Sequence, residues 1–217
     1  MSCSIVVATF GDRAWADLAG RRALPSTKGQ GALEVITVHL ADGDLAAARN
    51  LGAARARGRW LCFLDADDQL APGYLQAMAG PAAAHDGGAL LAPSVSYVEG
   101  GEPRPPIPPG ALSNHRPLLH LNRCVIGTLV PRQSFLQAGG FHAWPLYEDW
   151  ELWLRLHHRA GLPVVEVPEA VYRAWRAEGG RNLPHPQLRM DTYWRIRRLY
   201  DQGAPGPPQS LSAGRHP

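Results

Sequence analysis

Asp65, Asp67 and Asp68 stand within four positions, directly after the apolar run Trp60-Leu61-Cys62-Phe63-Leu64. Two carboxylates 4 Å apart repel by about 1 kcal/mol in water and roughly 4 kcal/mol at an effective dielectric of 20. A hard divalent cation relieves that repulsion, and Mg²⁺ takes one or two carboxylates together with the phosphates of a substrate. The cluster therefore reads as a metal-diphosphate site. Asp-Asp followed by Pro72 and Gly73 also suits a solvated turn that caps the next helix. A second acidic pair, Glu148 and Asp149, opens a segment in which Trp150, Trp153, Leu154 and His157 fall at i, i+3, i+4 and i+7. That spacing puts the four on one side of a helix and the two acids in its first turn. The helix dipole favours the ionised form there. An Asp so placed can act as a general base, a role worth roughly 10²–10⁴-fold in rate, or can serve as an ordinary helix cap.

The surrounding elements must bring these acids together. The Trp60–Leu64 run is too short for a helix and reads as a strand buried on both faces. Open α/β sheets hold their ligands at the carboxyl ends of such strands. Residues 5–8 read as a first strand and 34–38 as a second. A helix is expected over 15–22, stopped by Pro25, with a loop over 26–31. Asp44 is a good N-cap for a helix over 45–57 that ends at Gly58. A further helix runs from Pro72 to about Met78. This β-α-β-α-β-α order predicts an α/β fold of three layers, α/β/α, with a mostly parallel central sheet.

Pro103, Pro105, Pro106, Pro108 and Pro109 make residues 100–117 an extended loop that cannot feed a ladder. Next come an expected strand over 125–130, a short helix ending at Gly139-Gly140, a helix over 148–160, and a short strand over 163–167. The Gly/Pro/Ser-rich residues 201–217 read as a disordered tail.

A chain of 217 residues, 45% apolar with seven Trp, has the material for one sizeable domain. A net charge of +3 does not by itself argue for a nucleic-acid partner. The charge is uneven, however: seven Arg lie from Arg173 to Arg198, against Glu178 and Asp191. Tyr193 and Trp194 interleave with them, as in some nucleic-acid binders. The same residues fit an amphipathic terminal helix over 189–200 that could touch an acidic membrane surface. Cys3, Cys62 and Cys124 show no metal-ligand spacing, and their odd count favours a reducing compartment. With no signal-like segment and no spanning apolar run, a cytoplasmic protein is expected, at most peripheral at the inner face of the membrane. The Ala/Arg/Gly/Pro bias points to a GC-rich bacterial or phage genome.

Four pieces, in order across residues 4–176, resemble glycosyltransferase family 2, the inverting nucleotide-sugar transferases of GT-A fold. They are Ile5-Val6-Val7-Ala8-Thr9-Phe10, Ala48-Arg49-Asn50-Leu51-Gly52, Phe63-Leu64-Asp65-Ala66-Asp67-Asp68, and Gly139-Gly140-Phe141 with Glu148-Asp149 and Leu154-Arg155-Leu156. The resemblance implies a single GT-A domain over residues 1–200. A Rossmann-like nucleotide-sugar-binding half would cover 1–98 and an acceptor half 99–188, before the terminal helix.

By position, Thr9, Phe10 and Asp12 would lie against the donor's base and ribose, with Arg49 steadying the nucleotide. Asp65 would bind ribose or a metal-bound water. Asp67 would coordinate the Mg²⁺ or Mn²⁺ that bridges the diphosphate, and Asp68 would orient the turn or support the sugar. Asp149 would deprotonate the acceptor hydroxyl, with Glu148 positioning acceptor or sugar. The acceptor class, whether glycan, lipid, protein or small molecule, stays open.

Two departures from the family pattern stand out. The usual Asp-Asp-Gly-Ser segment after the second strand is replaced by His39-Leu40-Ala41-Asp42-Gly43-Asp44, which leaves Asp42 or His39 to meet the base. Trp175 stands where many relatives have a metal-ligating His, so that water fills the place or Arg173, Arg176 or Arg181 supplies charge to the diphosphate. A catalytically silent nucleotide-sugar binder and a basic nucleic-acid binder are the rival readings.

Overall fold

The computed structural model describes residues 1–112, 117–176 and 186–201. The first half alternates strand and helix: β1 (Cys3–Phe10), α1 (Ala14–Arg21), α2 (Ala23–Thr27), β2 (Glu34–Leu40), α3 (Leu45–Arg55) and β3 (Trp60–Leu64). Then come β4 (Gln69–Leu70), α4 (Tyr74–His85), β5 (Leu90–Glu99), β6 (Glu102–Pro103) and α5 (Pro109–Leu112). The second half adds β7 (Val130–Pro131), α6 (Arg132–Gln137), α7 (Glu148–Leu154), a π-helical turn Arg155–Arg159, β8 (Val164–Trp175) and α8 (Pro186–Asp201).

The strands form two four-stranded sheets, ordered β2-β1-β3-β7 and β4-β8-β5-β6. Every long pairing is parallel: β1 with β2, β1 with β3, and β5 with β8. The antiparallel pairings all involve the two-residue strands β4, β6 and β7. A bridge between Leu91 and Leu129 links the two sheets. Helices α3 and α4 pack on this frame, giving the expected α/β architecture.

Residues Cys3 to Ala8 and Trp60 to Leu64 are buried throughout, as doubly covered parallel strands require. Phe63, Phe135 and Phe141 form an aromatic cluster beneath the sheet end, with centroids 4.9–5.5 Å apart. At Gly52, α3 comes so close to β1 that any Cβ would run into Val6 Cγ1.

Several elements depart from the sequence expectations. Pro25 does not stop a helix: α2 carries it in its first turn, where its missing N–H costs nothing. Residues 125–128 are not a strand; Leu129 makes a single bridge to Leu91, and Val130–Pro131 pairs beside β3. The 163–167 strand extends to Trp175, and the helix from Pro72 runs on to His85. Strand β5 was not foreseen, because it is buried on both sides and shows no alternation. Its Pro93 sits at a register shift, where a proline does least harm to the ladder. Pro103 does enter a ladder, at the sheet edge opposite Val98. The terminal helix begins at Pro186 rather than 189. Arg181 and the expected tail from 202 onward lie outside the described residues.

Candidate active site

Strands β1, β2 and β3 are parallel, so their carboxyl ends share one edge of the sheet. Leu64 is in register with Val7, so Asp65 leaves the sheet beside the end of β1. Thr9 is buried there, its hydroxyl 3.3 Å from Val38 O and 3.0 Å from His39 Nδ1. Phe10 is half-buried. Asp12 is exposed, and its carboxylate accepts the Ala14 N–H at 2.8 Å, opening α1. Asp42 is exposed in the turn after β2.

Arg49 ties the two acidic segments together. Its Nη2 donates to Asp65 Oδ1 at 2.5 Å and its Nη1 to Glu148 Oε1 at 2.9 Å. The side chain is 3% exposed. Burial disfavours its charge, but Asp65 and Glu148 outweigh that and hold it protonated. The next residue, Asn50, binds the backbone of Phe141 twice: Nδ2 donates to Phe141 O at 2.9 Å and Oδ1 accepts from Phe141 N at 2.8 Å. Gly140 lies against that amide with φ +70°, and a Cβ there would collide with Asn50 Oδ1. Each residue of Arg49-Asn50-x-Gly52 thus has its own partner: two acids, a backbone turn and a strand.

Asp149 is half-buried at the start of α7. Its Oδ1 accepts the Trp150 N–H at 2.7 Å and its Oδ2 the Asn122 Nδ2–H at 3.1 Å. Burial first, and then neighbouring Glu148, push its carboxyl up to about 6, against the pull of the Trp150 amide and Arg49. Such a group is ionised at neutral pH yet basic enough to take a proton. Tyr147, just before it, is held in a left-handed conformation at φ 62°.

Asp68 turns inward. It accepts the Tyr172 hydroxyl at 2.8 Å and the Trp175 N–H at 2.9 Å. Burial, then Asp65 and Asp67, raise its carboxyl well above the usual range. Asp68 therefore anchors the acidic turn to β8, and Asp65 and Asp67 remain half-exposed. Among the described residues, no three His, Cys, Asp or Glu side chains converge as a complete metal-holding group. Arg173 faces Gln69 of β4 and Ser96 of β5 across the sheet. Arg176 pairs with Glu99 at 3.1 Å and stacks over Tyr97 at 3.9 Å.

Sequence reasoning passed over Asn122 and Arg22. Asn122 lies in a segment without periodicity and Arg22 at the end of an ordinary helix, and only their partners mark them. It also missed a second buried network behind α7. Arg155 holds the Gly139-Gly140 turn through Ala138 O and, at 2.7 Å, Gly140 O, and pairs with Glu151 at 2.9 Å. Glu151 also meets His142 at 3.3 Å and the Tyr200 hydroxyl at 2.7 Å.

Similar solved structures are those of S. aureus TarS 1-349. The first superposes with a TM-score of 0.61 at 16% identity, over 92% of this chain and 64% of that one. Its complex with UDP-GlcNAc gives 0.63 at 15%, over 92% and 65%. The complex with UDP gives 0.58 at 14%, over 95% and 67%. At these identities the likeness shows the fold, and the chain spans about two thirds of the length of these structures. No curated protein matches the chain. Residues 29–139, about half the chain and holding the Ala-Arg-Asn helix and the acidic turn, match the family described as glycosyl transferase family 2; the chain belongs to that family.

Proposed function

We propose that the chain moves a sugar from a nucleotide-diphosphate sugar to an acceptor hydroxyl in one inverting displacement, with Asp149 as general base. The observation that carries this reading is the shared contact of Arg49 with Asp65 and Glu148, which brings a donor-type acidic turn beside a candidate base. TarS, of like fold, has been solved with UDP-GlcNAc and with UDP, which supports a nucleotide sugar as donor. Residues 1–98 would supply most of the donor half and 99–188 most of the acceptor half, with Thr9, Phe10 and Asp12 on the nucleoside. Asp149 would take the acceptor proton while Glu148, fixed by Arg49, positions the acceptor or the sugar. A single base facing the anomeric carbon predicts inversion, by the geometry that governs inverting glycosidases.

Asp65, Glu148 and Asp149 surround one guanidinium, so negative charge is left over near the turn. Asp65 and Asp67 suit Mg²⁺ or Mn²⁺, which binds one or two carboxylates and completes its shell with phosphate oxygens and water. Such a cation would offset charge developing on the departing nucleoside diphosphate. No other side chain is needed for it, which agrees with Trp175 being unable to ligate a metal.

Helix α8 exposes Leu188, Met190 and Trp194 beside Arg195 and Arg198, which supports peripheral contact with an acidic membrane and hence a lipid-borne acceptor. Among the described residues no helix is long and apolar enough to cross a membrane.

A panel of nucleoside diphosphates and nucleotide sugars, read by thermal shift with Mn²⁺ and with chelator, tests the donor and the cation together. A stabilising nucleotide sugar whose effect shrinks in chelator, and shrinks likewise in Asp67→Ala, is the expected result. Equal shifts with and without metal would remove the cation. Donor binding without transfer to any acceptor would favour the silent binder, and DNA binding with a steep salt slope but no nucleotide response would favour the nucleic-acid reading.

A further inference from the structure

We propose that Arg22 is a diphosphate-binding residue of the donor site, held in place by the indole of Trp175; this rests on the donor-site reading above. Arg22 occupies the junction between α1 and α2 and is half-buried. Its Cζ lies 3.7 Å from the centroid of the Trp175 ring, and its Nη1 donates to the backbone oxygen of Asp67 at 3.1 Å. It therefore stands on the rim of the acidic turn, at the end of β8 whose Trp175 amide holds Asp68.

The guanidinium forms no ion pair with any described residue, although three carboxylates belong to the turn it touches. Two other arginines of this region are engaged with acids: Arg49 with Asp65 and Glu148, and Arg176 with Glu99. A half-buried cation without a counterion among the described residues is a place for an anionic ligand. The indole covers the flat face of the guanidinium, and its N–H donors lie in the plane of the group. Among the described residues only one is used, on the backbone oxygen of Asp67. The rest are left for acceptors in that plane, and the spaced oxygens of a phosphate match that fork.

Trp175 thus has a role without being a ligand: it fixes the orientation of a permanent positive charge beside Asp67. The ligand class is a pyrophosphate group, as in a nucleoside diphosphate. Stacking on Trp adds to the rigidity of the arrangement and suits Arg better than Lys.

The test measures binding by calorimetry to inorganic pyrophosphate, a nucleoside diphosphate and the parent nucleoside, in chelator and in Mg²⁺, using the full chain. Arg22→Gln should weaken pyrophosphate and nucleoside diphosphate by roughly 10- to 100-fold, most visibly in chelator, and leave the nucleoside within about twofold. Arg22→Lys should recover part of the loss through its charge, and Trp175→Ala should reproduce part of it. Unchanged pyrophosphate affinity in Arg22→Gln would overturn the proposal. So would an equal fall for nucleoside and nucleoside diphosphate, which marks a mere staple for the turn. A wild-type chain that binds neither pyrophosphate nor any nucleoside diphosphate would instead overturn the donor-site reading itself.

Discussion

Asp65 and Glu148 meet on a single guanidinium, that of Arg49, at 2.5 and 2.9 Å. One acid ends a strand of the first half and the other opens a helix of the second, so the arginine is a structural tie and an electrostatic one. Removing one partner of a buried ion pair costs about 3–5 kcal/mol, and the 31% exposure of Asp65 places this case toward the low end. Arg49→Gln should therefore lower the melting temperature and weaken nucleoside-diphosphate binding together. Arg49→Lys keeps the charge but cannot fork to both acids, and should fall between. Melting curves and a nucleotide titration on the same samples check both.

Asp149 sets the expected pH dependence. Its carboxyl stands at about 6 in the folded chain, against an ordinary value of 3.8, because burial and Glu148 penalise its charge. Only the ionised form accepts a proton, so turnover should fall as pH drops through about 6 and lose tenfold per unit well below it. Asp149→Asn should reduce turnover by roughly 10²-fold or more with little change in donor binding, and the acid limb should vanish from the residual rate. A pH profile of kcat/KM that stays flat from 5 to 8 would remove Asp149 as the base.

Glu151 governs acid stability. Burial alone would push its carboxyl up, but hydrogen bonds from His142, Arg155 and Tyr200 outweigh that and bring it from 4.5 to about 2. The unfolded chain then binds this proton more readily than the folded one. The stability it contributes is present above about 4.5 and is lost as pH falls toward 2. Glu151→Gln should flatten that part of the melting-temperature curve. At neutral pH it should cost about 3 kcal/mol, since Arg155 is left buried without its counterion.

The Gly140 turn offers a steric test. Its φ of +70° and the nearness of Asn50 leave no room for a Cβ. Gly140→Ala should destabilise by about 1–3 kcal/mol. Asn50→Ala should cost a similar amount by leaving the Phe141 N–H and C=O unpaired. Denaturant titration of the double variant should show less than the sum of the two, because both changes disturb one contact.

Much of this site could be read from residue order. An apolar run ending in three acids, an Asp N-cap before an Ala-rich helix, and two acids ahead of a Trp-rich helix are local patterns. They follow from burial, capping and charge repulsion within a few residues, and Asp44 does cap α3 through the Ala47 amide at 2.7 Å. Strand β5 escaped because double burial erases the alternation by which strands are recognised. The extension of β8 escaped because its partners are β4 and β5, distant in the chain.

What the sequence determined by itself was the chemistry on offer: acids at the end of a strand, acids at the start of a helix, and an arginine on a third element. Which carboxylates remain half-exposed at the turn was decided by the tertiary structure. Asp65 is drawn to Arg49, Asp68 is buried against Tyr172 and the Trp175 amide, and Asp67 stays half-exposed next to Arg22. The reason is physical. A carboxylate's role depends on which donors and charges surround it within a few ångströms, and those neighbours come from β8, α3 and α1, whose approach no local pattern encodes.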